Sequence, residues 1–556
     1  MVTASSETPP RRDEARTASG WIWSALALAI AAFVALPVAA VLWMAFHPTE
    51  NIWPHLIATT LPRYLGNSLA LALMTGALAA AVGTGAAWLV AMYRFPGARA
   101  LEWLLLLPLS VPAFVGAWAL VDFLEYAGPV QTGLRAAFGW ATARDYWFPD
   151  VKTRIGASVV LASALYPYVY LLARSAFREQ PGGAYEVARA LGSGGPRLFW
   201  RVGLPLARPA IAAGTAIVMM EAVADYGVVS YFSVQTLTTG IFTTWLEMRN
   251  AGGAAQLACL ILGLVLALVA VERISRNRLR HYQSARQPRP VVPSRLTGWR
   301  AWAASLACAI PVAAGFGLPV AVMAGHAAAD PAAFVAPGLL RALWHTLSTA
   351  AGAAALTVTL ALVMVYGARL RGRGLPRQLM PVTALGYAAP GAVLAVGLLI
   401  PLAALDHRLA DGWLALTGTD PGLLLTGTAA AIVMAYVVRF FAIAQGATDA
   451  AFGRVSPSLP MAARSLGRTA GGTLRAVYLP LMRGTVGSAL LLVFVDCVKE
   501  LPATLLLRPF NYETLATRAQ EQASLEKLNQ ASPAALLVIA VGLVAVALLA
   551  RATRRR

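Results

Sequence analysis

The sequence predicts an all-α polytopic membrane protein of about twelve transmembrane helices, arranged as two parallel six-helix repeats. Three observations carry that prediction. Of 556 residues, 58% are hydrophobic and 13% charged, where a soluble domain has roughly 25% charged residues. With a mean hydropathy of +0.64, this places the chain in the membrane class. Apolar runs long enough to cross a bilayer recur along its length. The chain also repeats itself: Ala188, Arg189, Leu191, Gly192, Val202, Leu204, Pro205, Leu206 and Arg208 each recur 275 positions later. A nine-residue match at one offset marks a duplication, and Asn67-Ser68-Leu69 with His345-Thr346-Leu347, and Pro112 with Pro390, extend it at offset 278.

Residues 1–20 are polar and of mixed charge, and read as a disordered cytoplasmic tail. The run 22–46 is longer than a signal-peptide core and reads as an uncleaved helix. The following spans are 68–92, 103–121, 155–172, about 206–224, and 251–271. In the second half they are 301–323, 346–367, 379–405, 422–438, about 481–501, and 534–550. The expected organisation is a tail at 1–20, a first repeat at 21–272, a basic linker at 273–300, a second repeat at 301–550, and a basic tail at 551–556. Even numbers of spans give both repeats one orientation, related by an axis along the membrane normal.

The formal net charge of +20 is almost all arginine. With both termini inside, Arg94 and Arg99, the segments 174–208, 273–300 and 439–483, and Arg369, Arg371, Arg373 and Arg377 all fall on the cytoplasmic side. This is the positive-inside pattern. The opposite loop 124–154 has four basic residues, offset by Glu125, Asp145 and Asp150. The arginine- and proline-rich linker reads as lying against anionic lipid headgroups, and nucleic acid is not expected. Cys259, Cys308 and Cys497 sit in or beside apolar runs and fit no metal motif or disulfide framework.

The repeated polar stretches, 184–206 and 459–481, lie between the fourth and fifth spans of each half. Each reads as a short surface helix stopped by Gly192 or Gly467, followed by a proline, Pro205 or Pro480, in the first turn of the next membrane helix. The pattern Glu-x-Ala-x-x-x-Gly, then twelve residues and Pro, resembles the EAA loop of binding-protein-dependent ABC importer permeases. That resemblance implies a type I-like permease fold and a coupling helix that docks on an ATP-binding subunit. The docking residues it implies are Glu186, Ala188, Gly192 and Pro205, and Ala462, Ala463, Gly467 and Pro480. Met461 stands where the family usually has Glu, which implies two unequal docking sites. None of the three lysines, Lys152, Lys499 and Lys527, follows a glycine, so the chain lacks the phosphate-cradling Gly-Lys-Ser/Thr. ATP and magnesium are expected in a separate subunit, two copies per permease, and no enzymatic activity or cofactor in this chain.

A second pair aligns at offset 275: Glu221, Asp225 and Gly227 with Asp496, Glu500 and Pro502. An acid at mid-helix costs roughly 2.5–3.5 kcal/mol on insertion scales. Two readings stand: the acids, with Lys499, line a pathway or gate, or they lie at helix ends near water with Lys499 or Arg508 as partners. Glu221 and Asp496 lie deeper. The stretches from Asp225 to Phe242 and from Lys499 to Thr517 resemble the fused ferric-iron permeases. That resemblance implies Fe(III) delivered by a periplasmic binding protein at a bacterial inner membrane. Carboxylates at Glu221, Asp225, Asp496 and Glu500, with Tyr226 nearby, suit a hard cation. No metal site can be assigned, and His281 and His407 read as solvated. Thiamine, polyamine or phosphonate are alternative substrates of related permeases. A gradient-driven carrier is the alternative class, although it has no need of paired cytoplasmic loops.

Overall fold

The computed structural model describes residues 12–48, 50–277, 292–370, 374–383, 386 and 389–554. His281, Arg371, Arg373, residues 1–11 of the expected tail and residues 278–291 of the linker lie outside them. Among the described residues, eleven helices are long and apolar enough to cross a membrane, or twelve if one bent pair is a single span. The long helices of the first half are α1 (Arg12–Phe46), α2 (Leu61–Met92), α3 (Arg154–Glu179), α4 (Gly195–Ala224) and α5 (Ala251–Asn277). Those of the second are α6 (Trp299–Ala329), α7 (Leu339–Leu370), α8 (Gly391–Thr417), α9 (Ala429–Arg454), α10 (Ala470–Val498) and α11 (Leu528–Arg554). α2 and α7 begin and end 278 residues apart, and α3 and α9 are 275 apart at both ends. The loop contacts repeat too. Ser68 Oγ accepts from Leu237 N at 3.0 Å, and Thr346 Oγ1 accepts from Leu515 N at 2.8 Å.

The structure departs from the expected spans in four places. The stretch 103–121 is not one helix: the chain bends by 96° between Ala98–Ser110 and Ala113–Phe138. Val111 is extended, at φ −96° and ψ 120°, before Pro112, because a proline ring pushes the preceding residue out of the helical region. The stretch 379–405 likewise divides, into Leu375–Thr383 and α8, which starts after Pro390. The tail is not irregular throughout, since α1 begins at Arg12; the run from Arg12 to Gly20 has no proline, the strongest breaker of a helix interior. The tenth span, expected at 422–438, runs from Ala429 to Arg454 instead. Arg439, expected in a cytoplasmic loop, is therefore inside the helix. Besides the π-turn at Thr243–Glu247, which extends a short helix, three long helices widen into one, at Phe199–Gly203, Ala313–Gly317 and Leu474–Tyr478. A Leu-Pro pair follows each of these three, and a widened turn relieves the clash between a proline ring and the carbonyl four residues back.

The halves exchange their first helices. α1 buries Ala27, Ala31, Val34 and Val41, spaced along one stripe, against α7, α8 and its own half's α5. The crossings are close: a Cβ on Gly367 would lie 2.5 Å from the Trp23 carbonyl oxygen, and one on Gly397 2.1 Å from that of Pro37. Small residues at such crossings let helix backbones approach. α6 does the converse, packing on α2, Ala113–Leu124 and its own half's α11. Near the end of the linker, Ser294–Arg295 pairs in parallel with Tyr93–Arg94.

Candidate functional site

Two regions combine the repeat with polar chemistry: the surface loops before α4 and α10, and a cavity between the halves.

In the first loop, helix Gly182–Ala190 ends where Gly192 adopts φ +80°. Gly192 N donates to the Arg189 carbonyl and Ser193 N to that of Ala188, both at 2.9 Å. The second loop repeats this after helix Ser458–Ser465. Gly467 has φ +82°, and Gly467 N and Arg468 N donate to the Arg464 and Ala463 carbonyls. A left-handed residue costs an L-side chain about 1–2 kcal/mol, so glycine is the residue this helix stop calls for. Glu186 is exposed and Ala188 half-buried, while Met461 and Ala462 are exposed and Ala463 is buried. Pro205 and Pro480, both exposed, sit within α4 and α10, two residues after their π-turns. Leu191 and Leu466, just before each glycine, are 81% and 84% exposed. The repeat contained these leucines, but only exposure shows that each leaves its apolar body uncovered at the loop tip.

The supports beneath the loops differ. Trp88 packs against Phe177, Tyr185 and Phe199. It fits because position 203 is glycine: a Cβ there would meet the Trp88 ring at 2.4 Å. Tyr185 donates to the Gln180 side chain, whose amide donates to the Gly203 carbonyl at 3.1 Å. In the second half, Tyr366 replaces Trp88 and Tyr478 replaces Gly203; their rings pack with Phe452. Tyr366 also meets Trp23 of α1 edge-on and donates to the Ala470 carbonyl at 2.7 Å. A large–small pair and a medium–medium pair thus fill equivalent space.

The cavity is lined by both halves. Glu221, Asp225, Asp496, Lys499 and Glu500 all border it, with Tyr168 and Arg439. Asp225 and Glu500 sit where α4 and α10 break into the short helices Gly227–Tyr231 and Pro502–Leu507. Asp225 Oδ1 accepts from Val228 N and Val229 N at 2.8 and 3.3 Å. Glu500 accepts from Ala503 N and Thr504 N at 3.0 and 3.1 Å, and from the Thr504 hydroxyl at 2.9 Å. These two acids therefore cap helix N-termini, where backbone N–H groups favour negative charge. Glu221 and Asp496 lie about one turn earlier on the same helices. Lys499 is 3.0 Å from Asp496, whereas Arg508 pairs with Glu521 at 3.3 Å and partners none of the cavity acids.

Arg439 is the functional candidate that the hydropathy reading missed. It lies 3.4 Å from Glu500 Oε1 and 4.0 Å from Glu221 Oε2. Its partners neutralise a charge that hydropathy treats as the end of a span. Among the described residues, no group of three His, Cys, Asp or Glu is placed to hold a metal ion. Exposed His407 bonds only locally, to the Ala403 carbonyl at 2.7 Å. Cys308 and Cys497 are buried and Cys259 half-buried, all three as free thiols.

Residues 79–281 match the family described as the binding-protein-dependent transport system inner membrane component. Among curated relatives, the Fe(3+)-transport system permease protein FbpB 2 of Haemophilus influenzae is 25% identical over 484 residues, covering 85% of this chain and 87% of that protein. The probable sulfate transport system permease protein cysT of Chlorokybus atmophyticus is 28% identical over 193 residues, 33% of this chain and 63% of that one. The molybdenum transport system permease protein ModB of Escherichia coli K12 is 28% identical over 207 residues, 34% of this chain and 85% of that one. The FbpB 2 match spans both halves, the other two relatives match about a third of the chain, and the chain resembles the fused, two-half permeases of the binding-protein-dependent ABC importer class, the ferric-iron permeases among them.

Proposed function

We propose that this permease carries ferric iron across a bacterial inner membrane, with both termini cytoplasmic. In this reading, residues 21–272 and 301–550 are the two permease repeats, joined by the cytoplasmic linker 273–300. Two copies of an ATP-binding subunit dock on the loops around Glu186, Ala188, Gly192 and Pro205 and around Ala462, Ala463, Gly467 and Pro480. Leu191 and Leu466 are the apolar contacts at their tips. A periplasmic binding protein delivers the cargo to the opposite face, where Phe138, Trp147 and Phe510 are 65%, 86% and 96% exposed. Closure of the ATP-binding subunits moves the loops, and the rigid turns at Pro205 and Pro480 pass that motion to α4 and α10, which border the cavity.

The observation that carries the choice of cargo is the charge of the cavity. Four carboxylates, Glu221, Asp225, Asp496 and Glu500, face two cations, Arg439 and Lys499. A sulfate or molybdate ion would meet this acidic excess as repulsion, whereas oxygen-rich carboxylates suit a hard cation. The carboxylates are spread over two helices instead of forming a cage, in keeping with conduction, where sites must release as well as bind.

The test is ATP hydrolysis by the chain and its ATP-binding partner in nanodiscs, with binding protein added loaded or empty. Stimulation by the Fe(III)-loaded protein is the expected result. Stimulation only by an oxyanion-loaded protein would keep the importer and discard iron. No association with any ATP-binding subunit would sink the coupling assignment.

A further inference from the structure

Arg439 is a residue in the cavity that the repeat does not explain. α3 and α9 are equivalent over their whole lengths at offset 275, and the twin of Arg439 on α3 is Ala164, which lines the same cavity. One half therefore places a guanidinium where the other places a methyl group. The surroundings are cut to fit it. A Cβ on Gly391 would lie 2.3 Å from Arg439 Nη1 and 2.4 Å from Glu500 Oε1, so a side chain there would have to displace the pair.

The two carboxylates that Arg439 faces are not equal. Glu500 belongs to the same half, its side chain is 2% exposed, and its oxygens are already tied to the cap of Pro502–Leu507. It cannot leave without undoing that helix start. Glu221 belongs to the other half, its side chain is 29% exposed, and its contact is the longer, 4.0 Å against 3.4 Å. An ion pair with a wetter partner at longer range is the weaker one. When the halves separate, Arg439 stays with Glu500 and the contact to Glu221 breaks.

We infer that Arg439 is a tethered cation that latches the two halves by engaging Glu221 across the seam, and that opening the seam bares the Glu221 carboxylate for the transported cation. Only the last step rests on the proposed cargo. In the latched state, Arg439 holds one of the pathway's acids, so a free cation must compete with a guanidinium that never dissociates. In the open state that acid is released, on the half that moves away.

The experiment separates latch from cargo. Hydrolysis is first measured on the nanodisc complex with its ATP-binding partner, without binding protein or iron. Arg439→Gln and Glu221→Gln are each expected to raise basal hydrolysis several-fold, the double variant no further than either single one, and Arg439→Lys to stay near wild type. Unchanged or lowered hydrolysis in both single variants, with the complex still assembled, would overturn the latch. If Arg439→Gln fails to assemble, Glu221→Gln alone decides, because it leaves the Arg439–Glu500 pair intact. In the second arm, Fe(III)-loaded binding protein drives uptake into proteoliposomes. Glu221→Gln is expected to lose uptake, and retained uptake would overturn the baring of Glu221. Raised basal hydrolysis with no response to iron in wild type would leave the latch standing and remove iron as the cargo.

Discussion

The two surface loops share a backbone and differ in what surrounds it. Both end a short helix at a left-handed glycine, at φ +80° and +82°, with the same pair of closing hydrogen bonds. Both raise an exposed leucine at the tip. Yet one presents Glu186 where the other presents Met461, and one rests on Trp88 over a glycine where the other rests on two tyrosines. The shared features belong to the shape of the loop, which backbone geometry enforces. The differing features belong to contacts with neighbours, which each half is free to solve separately once the halves are joined in one chain.

The comparison can be broken in steps. The largest effect is expected from Gly192→Asp with Gly467→Asp, which strains each left-handed position by about 1–2 kcal/mol and sets a carboxylate beside each tip. Loaded-protein stimulation of hydrolysis should fall at least about tenfold, since about 1.4 kcal/mol is a factor of ten. Single variants then show whether either loop suffices. Next is Gly203→Ala, whose methyl group meets the Trp88 ring. Overpacking of this kind costs about 1–3 kcal/mol, read as a lowered melting temperature. Adding Trp88→Tyr, the second half's solution, should restore part of it; no restoration would mean that the two supports are not equivalent. Ser68→Ala and Thr346→Ala each remove the acceptor for one buried backbone N–H. Each should cost about 1 kcal/mol, and clearly unequal losses would show that one half dominates stability. The smallest effect concerns Glu186 and Met461, the unlike residues at the proposed docking sites. An exposed ion pair is worth about 0.2–1 kcal/mol, so Glu186→Ala should weaken retention of the ATP-binding subunit a few-fold and Met461→Ala less. The reverse order would assign the stronger docking site to the second loop.

Much of this was legible in the sequence, for a physical reason. Span length and apolar content are set by bilayer thickness, and a turn that needs glycine keeps glycine in both copies. Gly192 and Gly467 could therefore be read directly. Arg439 could not. Its partners lie on other helices, and a charge reads as the end of a span until the acids that neutralise it are known. The bend at Val111-Pro112 was carried by the proline itself, but overall hydropathy smoothed it into one helix. The division of roles among the acids also needed coordinates. Asp225 and Glu500 cap helix starts, while Glu221 and Asp496 sit a turn earlier, and four aligned carboxylates do not reveal that split. The exchange of first helices was equally hidden, since an apolar stripe looks the same whichever half covers it.

That exchange has a consequence for biosynthesis. α1 leaves the ribosome long before α7 and α8, on which it packs and which are made some three hundred residues later. Until then its stripe of Ala27, Ala31, Val34 and Val41 faces lipid or a temporary neighbour. Contacts so distant in sequence form late. A segment made early is thus among the last to be seated. A chain interrupted in its second half leaves α1 without its seat, so intact synthesis of both repeats is needed before either is finished.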